Sequence, residues 1–173
     1  MEKMVNLKIN NIAVTVPAGT TILEAAKTAG IKIPTLCYLK DINPLGACRV
    51  CVVEVKGARS LVASCVYPVA EGMEVTTNSK KVTDSRKTTL ELMLSDHKQE
   101  CLSCARNLSC ELQALSLEYN CDSNKFKGET VEYPLDCTTP YLVRDNNKCI
   151  LCRRCVAACH KYQSVGVIGA NAR

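Results

Sequence analysis

The chain has no tryptophan, one phenylalanine and six tyrosines among its 173 residues. So little aromatic bulk argues against a single large packed core. It points to small units held together by something besides packing. No stretch approaches the roughly 18 apolar residues of a membrane span. The opening "MEKMVNLKIN" lacks the apolar h-region of a secretory signal. No Ser/His/Asp set, paired acids or phosphate-cradling glycine loop stands out, so no catalytic residue is named. Lysines and arginines are scattered without interleaved aromatics, and the net charge of +5 gives no support to nucleic-acid binding.

What the chain has in excess is cysteine, thirteen in all. An odd count without an export signal argues against a disulfide framework and for reduced thiolates that hold metal. Coordinating thiols lose their protons outright, so each oxidised iron–sulfur cluster on four thiolates would carry about −2 and offset much of the formal charge.

The first half reads as a small α+β unit. Val5, Leu7 and Ile9, then Ile12, Val14 and Val16, alternate on either side of Asn10-Asn11, the pattern of a hairpin with one buried face. Thr21 and Glu24 form a capping box for a helix carrying Ile22, Ala25, Ala26 and Ala29, which Gly30 stops. A second hairpin turns at Lys56-Gly57, and "MEVTT" supplies a last short strand. The period then changes. Val82, Leu90, Met93 and His97 fall on one face of a helix from about 79 to 97, and Ser109 is placed to cap a short helix carrying Leu112 and Leu115. Residues 119–138 show no period and read as a linker, and "SVGVIG" near the end reads as a short strand.

Three cysteine groups carry the chemistry. Cys37, Cys48, Cys51 and Cys65 are separated by gaps of 10, 2 and 13 residues. This spacing puts three ligands on loops at one end of the sheet and returns the fourth from a neighbouring strand, as wrapping an iron–sulfur cluster requires. Gly46 and Ala47 allow close approach of the backbone. A zinc-stabilised interaction module is the rival from another class, but zinc sites usually pair two Cys-x-x-Cys motifs and here there is one. Cys149, Cys152, Cys155 and Cys159 form Cys-x2-Cys-x2-Cys-x3-Cys, the bacterial ferredoxin run. In that run the first three cysteines share one [4Fe–4S] cluster and the fourth serves another. Either the chain is a fragment whose remaining ligands lie past Arg173, the favoured expectation, or Cys159 closes the cluster itself. His160 stands where a proline usually follows.

The third group, His97, Cys101, Cys104 and Cys110, lies between the other two. A lone histidine at the end of an apolar helix face is ordinarily a core or capping residue. Three neighbouring cysteines instead favour ligation of a [4Fe–4S] cluster by one imidazole and three thiolates. Neutral imidazole removes one negative charge and should raise the reduction potential, as in Rieske centres. Cys121 and Cys137 read as spare thiols. Lys148, Arg153 and Arg154 flank the ferredoxin run, where they would be solvated, raise the potential, or dock an acidic ferredoxin.

These three units, in this order, resemble the N-terminal electron-transfer region of iron-only ([FeFe]) hydrogenases. The large iron–sulfur subunit of NADH:quinone oxidoreductase, the alpha subunit of NAD-dependent formate dehydrogenase and the small diaphorase subunit of NAD-reducing hydrogenases share the architecture. "KCILCRRCVAAC" followed by "SVGVIGANAR" looks most like the hydrogenase branch. The resemblance implies an α+β chain. Residues 1–78 would be a plant-ferredoxin-like β-grasp domain with a [2Fe–2S] cluster, 79–118 a small helical His/Cys3 [4Fe–4S] domain, and 139–173 half of a bacterial two-cluster ferredoxin domain. The implied function is an electron relay in a cytoplasmic, anaerobic oxidoreductase. Its expected partners are a hydrogenase catalytic domain or subunit and either ferredoxin or a flavin- or NAD(P)-binding subunit; the hydrogen-converting centre lies outside these residues.

Overall fold

The computed structural model describes residues 3–126, 128 and 130–170. The chain divides into two compact units, one of residues 1–86 and 152–173, the other of residues 87–151.

In the first unit, β1 (Met4–Ile9) and β2 (Ile12–Pro17) form an antiparallel hairpin in which Ile9 pairs with Ile12. Asn10 and Asn11 sit at φ +48° and +67°. Two successive left-handed residues make the turn whose twist matches the strands, and asparagine tolerates that region. Helix α1 (Ile22–Thr28) begins at Thr21, whose side chain accepts a hydrogen bond from Glu24 N at 3.4 Å, and ends before Gly30 at φ +71°. Strands β3 (Val52–Val55), β4 (Val62–Ala63) and β5 (Met73–Thr76) complete a five-stranded sheet of order β2-β1-β5-β3-β4. The β1–β5 pair is parallel, with Leu7 opposite Met73 and Ile9 opposite Val75, and the other pairs are antiparallel. The inward residues of the sheet and the buried face of α1 (Ile22, Leu23, Ala25, Ala26) form one apolar cluster that includes Cys51 and Cys65. This mixed α+β arrangement matches the ferredoxin-like class expected from the pattern.

Helix α2 (Lys80–Ser95) follows, and the division between the units falls within it. Val82 and Leu90 are fully buried. Arg86 Nη2 donates to the carbonyl of Val52, next to Cys51, at 2.7 Å. The helix stops at Ser95, short of His97.

The second unit contains α3 (Glu111–Glu118), with Leu112 and Leu115 buried as the pattern required. The residue at its N-cap is Cys110, not Ser109, whose N and Oγ instead bond back to Arg106 O. The stretch expected to be patternless is partly ordered. Buried Glu91 accepts from Asp122 N at 3.2 Å and pairs with Lys125 Nζ at 2.7 Å, and β6 (Asp136–Thr139) pairs antiparallel with β7 (Leu142–Arg144).

Back in the first unit, α4 (Arg154–Ala157) runs into a π-helical turn over Ala158–Tyr162. "SVGVIG" is not a strand. Val165 N and Gly166 N donate to Cys159 O at 3.1 and 3.3 Å. Gly166 at φ +70° breaks the extended run, and a Cβ there would lie 3.1 Å from the His160 ring. Among the described residues no helix is long and apolar enough to cross a membrane.

Candidate metal centres

Strand register explains the first centre. Cys51 directly precedes β3 and Cys65 follows β4 by two residues, and Val52 pairs with Ala63. Ser64 N extends the ladder to Cys51 O at 3.2 Å, so the two cysteines lie at the same end of the strand pair with their Sγ atoms 3.3 Å apart. Cys37 and Cys48 come from the long loop after α1. All four cysteines are buried, each at most 6% exposed.

The loop is shaped for this. Gly46 takes φ +62°, and a Cβ there would lie 3.3 Å from a Val66 methyl. Arg49, between Cys48 and Val50, also adopts a left-handed φ of +57°. The backbone N–H groups of Ala47 and Cys48 favour the thiolate of Cys37, and that of Val50 favours the thiolate of Cys48. Shared thiol hydrogen bonds pull Cys37 and Cys51 below the ordinary thiol value. The same bonds push Cys48 and Cys65 above it, with burial adding to the rise. Buried sulfur donors with amide hydrogens aimed at them are the donor set a thiolate-bound cluster needs.

The second group lies in one loop between α2 and α3. His97 N bonds to Leu94 O at 3.3 Å in the turn that ends α2. Its ring is half-buried, and Nδ1 is shielded from water with no hydrogen-bond partner. Burial, helped by the Lys148 charge and opposed by Asp145, lowers its pKa and favours the neutral imidazole that can ligate a metal. Cys101 opens a short 3-10 turn and is exposed, while Cys104 and Cys110 are partly buried. Arg106 N donates to Cys104 Sγ at 3.5 Å. Lys98 N donates to Asn147 O at 3.0 Å, and Lys98 and Lys148 both reach Glu100, at 3.2 and 3.8 Å. Among the described residues no three His, Cys, Asp or Glu side chains are grouped to hold a single metal ion. The orphaned Nδ1 and the amide-bonded Cys104 fit the imidazole–thiolate donor set.

The division between the units falls inside the ferredoxin-type run, between Leu151 and Cys152. In the second unit, Cys149 is exposed and its Sγ accepts from Leu151 N at 3.4 Å. In the first, Cys152 is partly buried, Cys155 exposed, and Cys159 buried within the π turn. Arg153 at φ +59° starts α4. An N–H donated to a cysteine sulfur two residues earlier recurs in two of the groups, at Cys104 and Cys149. Sequence spacing alone did not show it. Sequence reading also passed over Asn43, a buried amide whose Nδ2 donates to Cys37 O at 2.7 Å and to Cys152 O at 3.0 Å. A buried asparagine in a loop carries no periodic signal.

Residues 2–80 match the sequence family described as a 2Fe-2S iron-sulfur cluster binding domain, and residues 86–125 match the NADH-ubiquinone oxidoreductase-G iron-sulfur binding region. The fold superposes on a chain from the crystal structure of an NAD+-reducing [NiFe]-hydrogenase in the H2-reduced state. The TM-score is 0.87 at 32% identity, over 97% of this chain and 71% of that one. This chain belongs to the family of iron–sulfur subunits shared by NADH:quinone oxidoreductases and NAD-reducing hydrogenases.

Family membership brings [2Fe–2S] and [4Fe–4S] cofactors with it. The NADP-reducing hydrogenase subunit HndD of Solidesulfovibrio fructosivorans is 45% identical over 97% of this chain and 30% of its own length. The NADPH-Fe(3+) oxidoreductase subunit alpha of Geobacter sulfurreducens (strain DL-1 / KN400) is 38% identical over 98% of this chain and 19% of its own. The NADH-ubiquinone oxidoreductase 75 kDa subunit of Reclinomonas americana is 34% identical over 98% and 25%. The chain thus spans less than a third of each of these curated relatives. The family shown is broader than the iron-only hydrogenase branch expected from the motifs. Cys149–Cys159 lie outside both matched family regions.

Proposed function

We propose that this chain is the electron-transfer module of an iron-only hydrogenase, a relay between a hydrogen-converting domain and ferredoxin or an NAD(P)-linked flavin subunit. Cys37, Cys48, Cys51 and Cys65 would ligate the [2Fe–2S] cluster, and His97, Cys101, Cys104 and Cys110 a [4Fe–4S] cluster. Cys149, Cys152 and Cys155 would supply three ligands of a further [4Fe–4S] cluster, with Cys159 either serving another cluster or completing this one. When bound, the clusters take up and release single electrons.

The chain's own residues exclude water from the four-cysteine site, aim amide hydrogens at its sulfurs and substitute an uncharged ring for one thiolate at the second site. The observation that carries the reading is the set of four buried cysteines, with the Cys51 and Cys65 sulfurs 3.3 Å apart, inside the region that matches a 2Fe-2S domain. The match of residues 86–125 to the oxidoreductase-G region favours a second reading, in which the same relay serves an NADH:quinone oxidoreductase.

Anaerobically reconstituted protein should contain iron and acid-labile sulfide, bleach on dithionite, and give paramagnetic signals of at least two cluster types. Cys48→Ser should remove the [2Fe–2S] signal and leave the others. Stoichiometric zinc without sulfide would overturn the relay reading. The full-length protein with its native subunits should couple hydrogen oxidation to ferredoxin or nicotinamide reduction. NADH-dependent quinone reduction without hydrogen chemistry would select the second reading.

A further inference from the structure

Asn43 is 1% exposed. Its backbone is fixed by a hydrogen bond from its own N–H to Leu39 O at 2.8 Å, in the loop that carries Cys37. Its side-chain amide donates to the carbonyl of Cys37 at 2.7 Å and to the carbonyl of Cys152, 109 residues further along, at 3.0 Å. The orientation follows from the partners. Two carbonyl oxygens require the NH2 end, because the reversed amide would press oxygen against oxygen. A second tie lies alongside, where Arg154 Nη2 donates to Tyr38 O at 3.3 Å. The Cys37 loop and the Cys152–Cys155 segment are thus fastened to each other at two points.

We infer that Asn43 is a positioning residue for electron transfer, one amide that clamps the backbone of Cys37 to that of Cys152 and so fixes the spacing between the [2Fe–2S] site and the ferredoxin-type site. The inference rests on the ligand assignment proposed above. Each carbonyl is joined to its own Sγ by a short covalent path. The amide therefore closes a hydrogen-bonded bridge between two sulfur ligands and also holds them at a set distance. A clip that served only to anchor a late segment of the chain would affect stability and leave cluster-to-cluster behaviour unchanged.

The test uses the reconstituted chain and its [2Fe–2S] paramagnetic signal, followed as the other clusters are reduced. In the wild type the signal should relax faster, or split, once the ferredoxin-type cluster becomes paramagnetic, and Cys155→Ser should abolish that enhancement. Asn43→Leu, which keeps the branched shape and removes both donors, should retain both cluster signals and lose most of the enhancement, and the near-isosteric Asn43→Asp should do the same. Rapid reduction should then equilibrate the two clusters several-fold more slowly than in the wild type. An unchanged enhancement in either variant overturns the inference. So does its absence in wild-type protein that shows both signals, a result that requires no variant to fold. Wild-type protein with no [2Fe–2S] signal at all would instead overturn the proposed function.

Discussion

Four thiols buried in one small unit, two of them with sulfurs 3.3 Å apart, are costly to an apoprotein. Each sulfur can share its proton with only one or two neighbours, and burial opposes ionisation of those left over. Binding iron and sulfide there would remove the protons, so the same burial that penalises the free thiols would protect the loaded site. His97 follows the same logic with the opposite charge. Its shielded ring is held neutral by burial and by Lys148, and a neutral ring adds no negative charge to a cluster. Replacing it with cysteine adds one. His97→Cys should therefore keep a [4Fe–4S] signal and lower its midpoint potential by on the order of 100 mV, roughly half the smallest gap between two-histidine Rieske centres and plant-type ferredoxins. A redox titration followed by paramagnetic resonance reads this directly. An unchanged potential would remove His97 from the ligand set.

At the scale of elements, the loop after α3 shows how a stretch without period gains order. Glu91 on α2 is 1% exposed, receives Lys125 Nζ at 2.7 Å and Asp122 N at 3.2 Å, and has Lys87 Nζ at 3.9 Å. The hydrogen bond from Lys125 holds its carboxyl below the ordinary value, against the opposing effect of burial. A carboxylate with a depressed folded pKa stabilises above its unfolded pKa of about 4.3, and the contribution is lost as pH falls through the folded value. Glu91→Gln should thus be less stable than the wild type at pH 7 in denaturant titrations. The difference should shrink as the pH drops below about 4, and a gap independent of pH would assign the loss to packing. This order was invisible in the sequence because its partners lie 31 and 34 residues away. The elements that were legible are those fixed by neighbours: the Asn10-Asn11 turn, the Thr21 cap, the Gly30 stop. The strand β6, "DCTT", is fully or partly exposed, shows no alternation and exists only through β7. "SVGVIG" fails in the opposite sense, since its β-branched residues favour a strand but its amides turn back to Cys159. The cysteine groups stood out in the sequence because their spacing forms recognisable motifs; Asn43 did not, because its second partner is remote.

Across the whole chain, the two units differ in how much apolar core they carry without metal. Residues 1–86 carry a continuous apolar cluster spanning the sheet and α1, so this part has a core of its own, more than the composition led us to expect. Among the described residues of 87–151 the buried apolar ones are Leu90, Leu94, Leu112 and Leu115. The loop from His97 to Cys110 is held mainly by turn hydrogen bonds and by the lysine–glutamate pairs around Glu100, which are solvent-exposed and individually weak. Cluster binding would therefore supply most of the order of that loop, whereas the sheet would need it only near its cysteine-bearing end. Removing iron with a chelator under oxidant, followed by reduction of the thiols, should leave amide-exchange protection in β1, β2, α1 and β5 largely intact. Protection should fall steeply from residue 97 to 110 and in the Cys37–Cys51 loop. Hydrogen exchange read by mass spectrometry separates these segments. Simultaneous loss of protection in the sheet and in the loop would show that the clusters hold up the sheet as well, and that its apolar core is not sufficient.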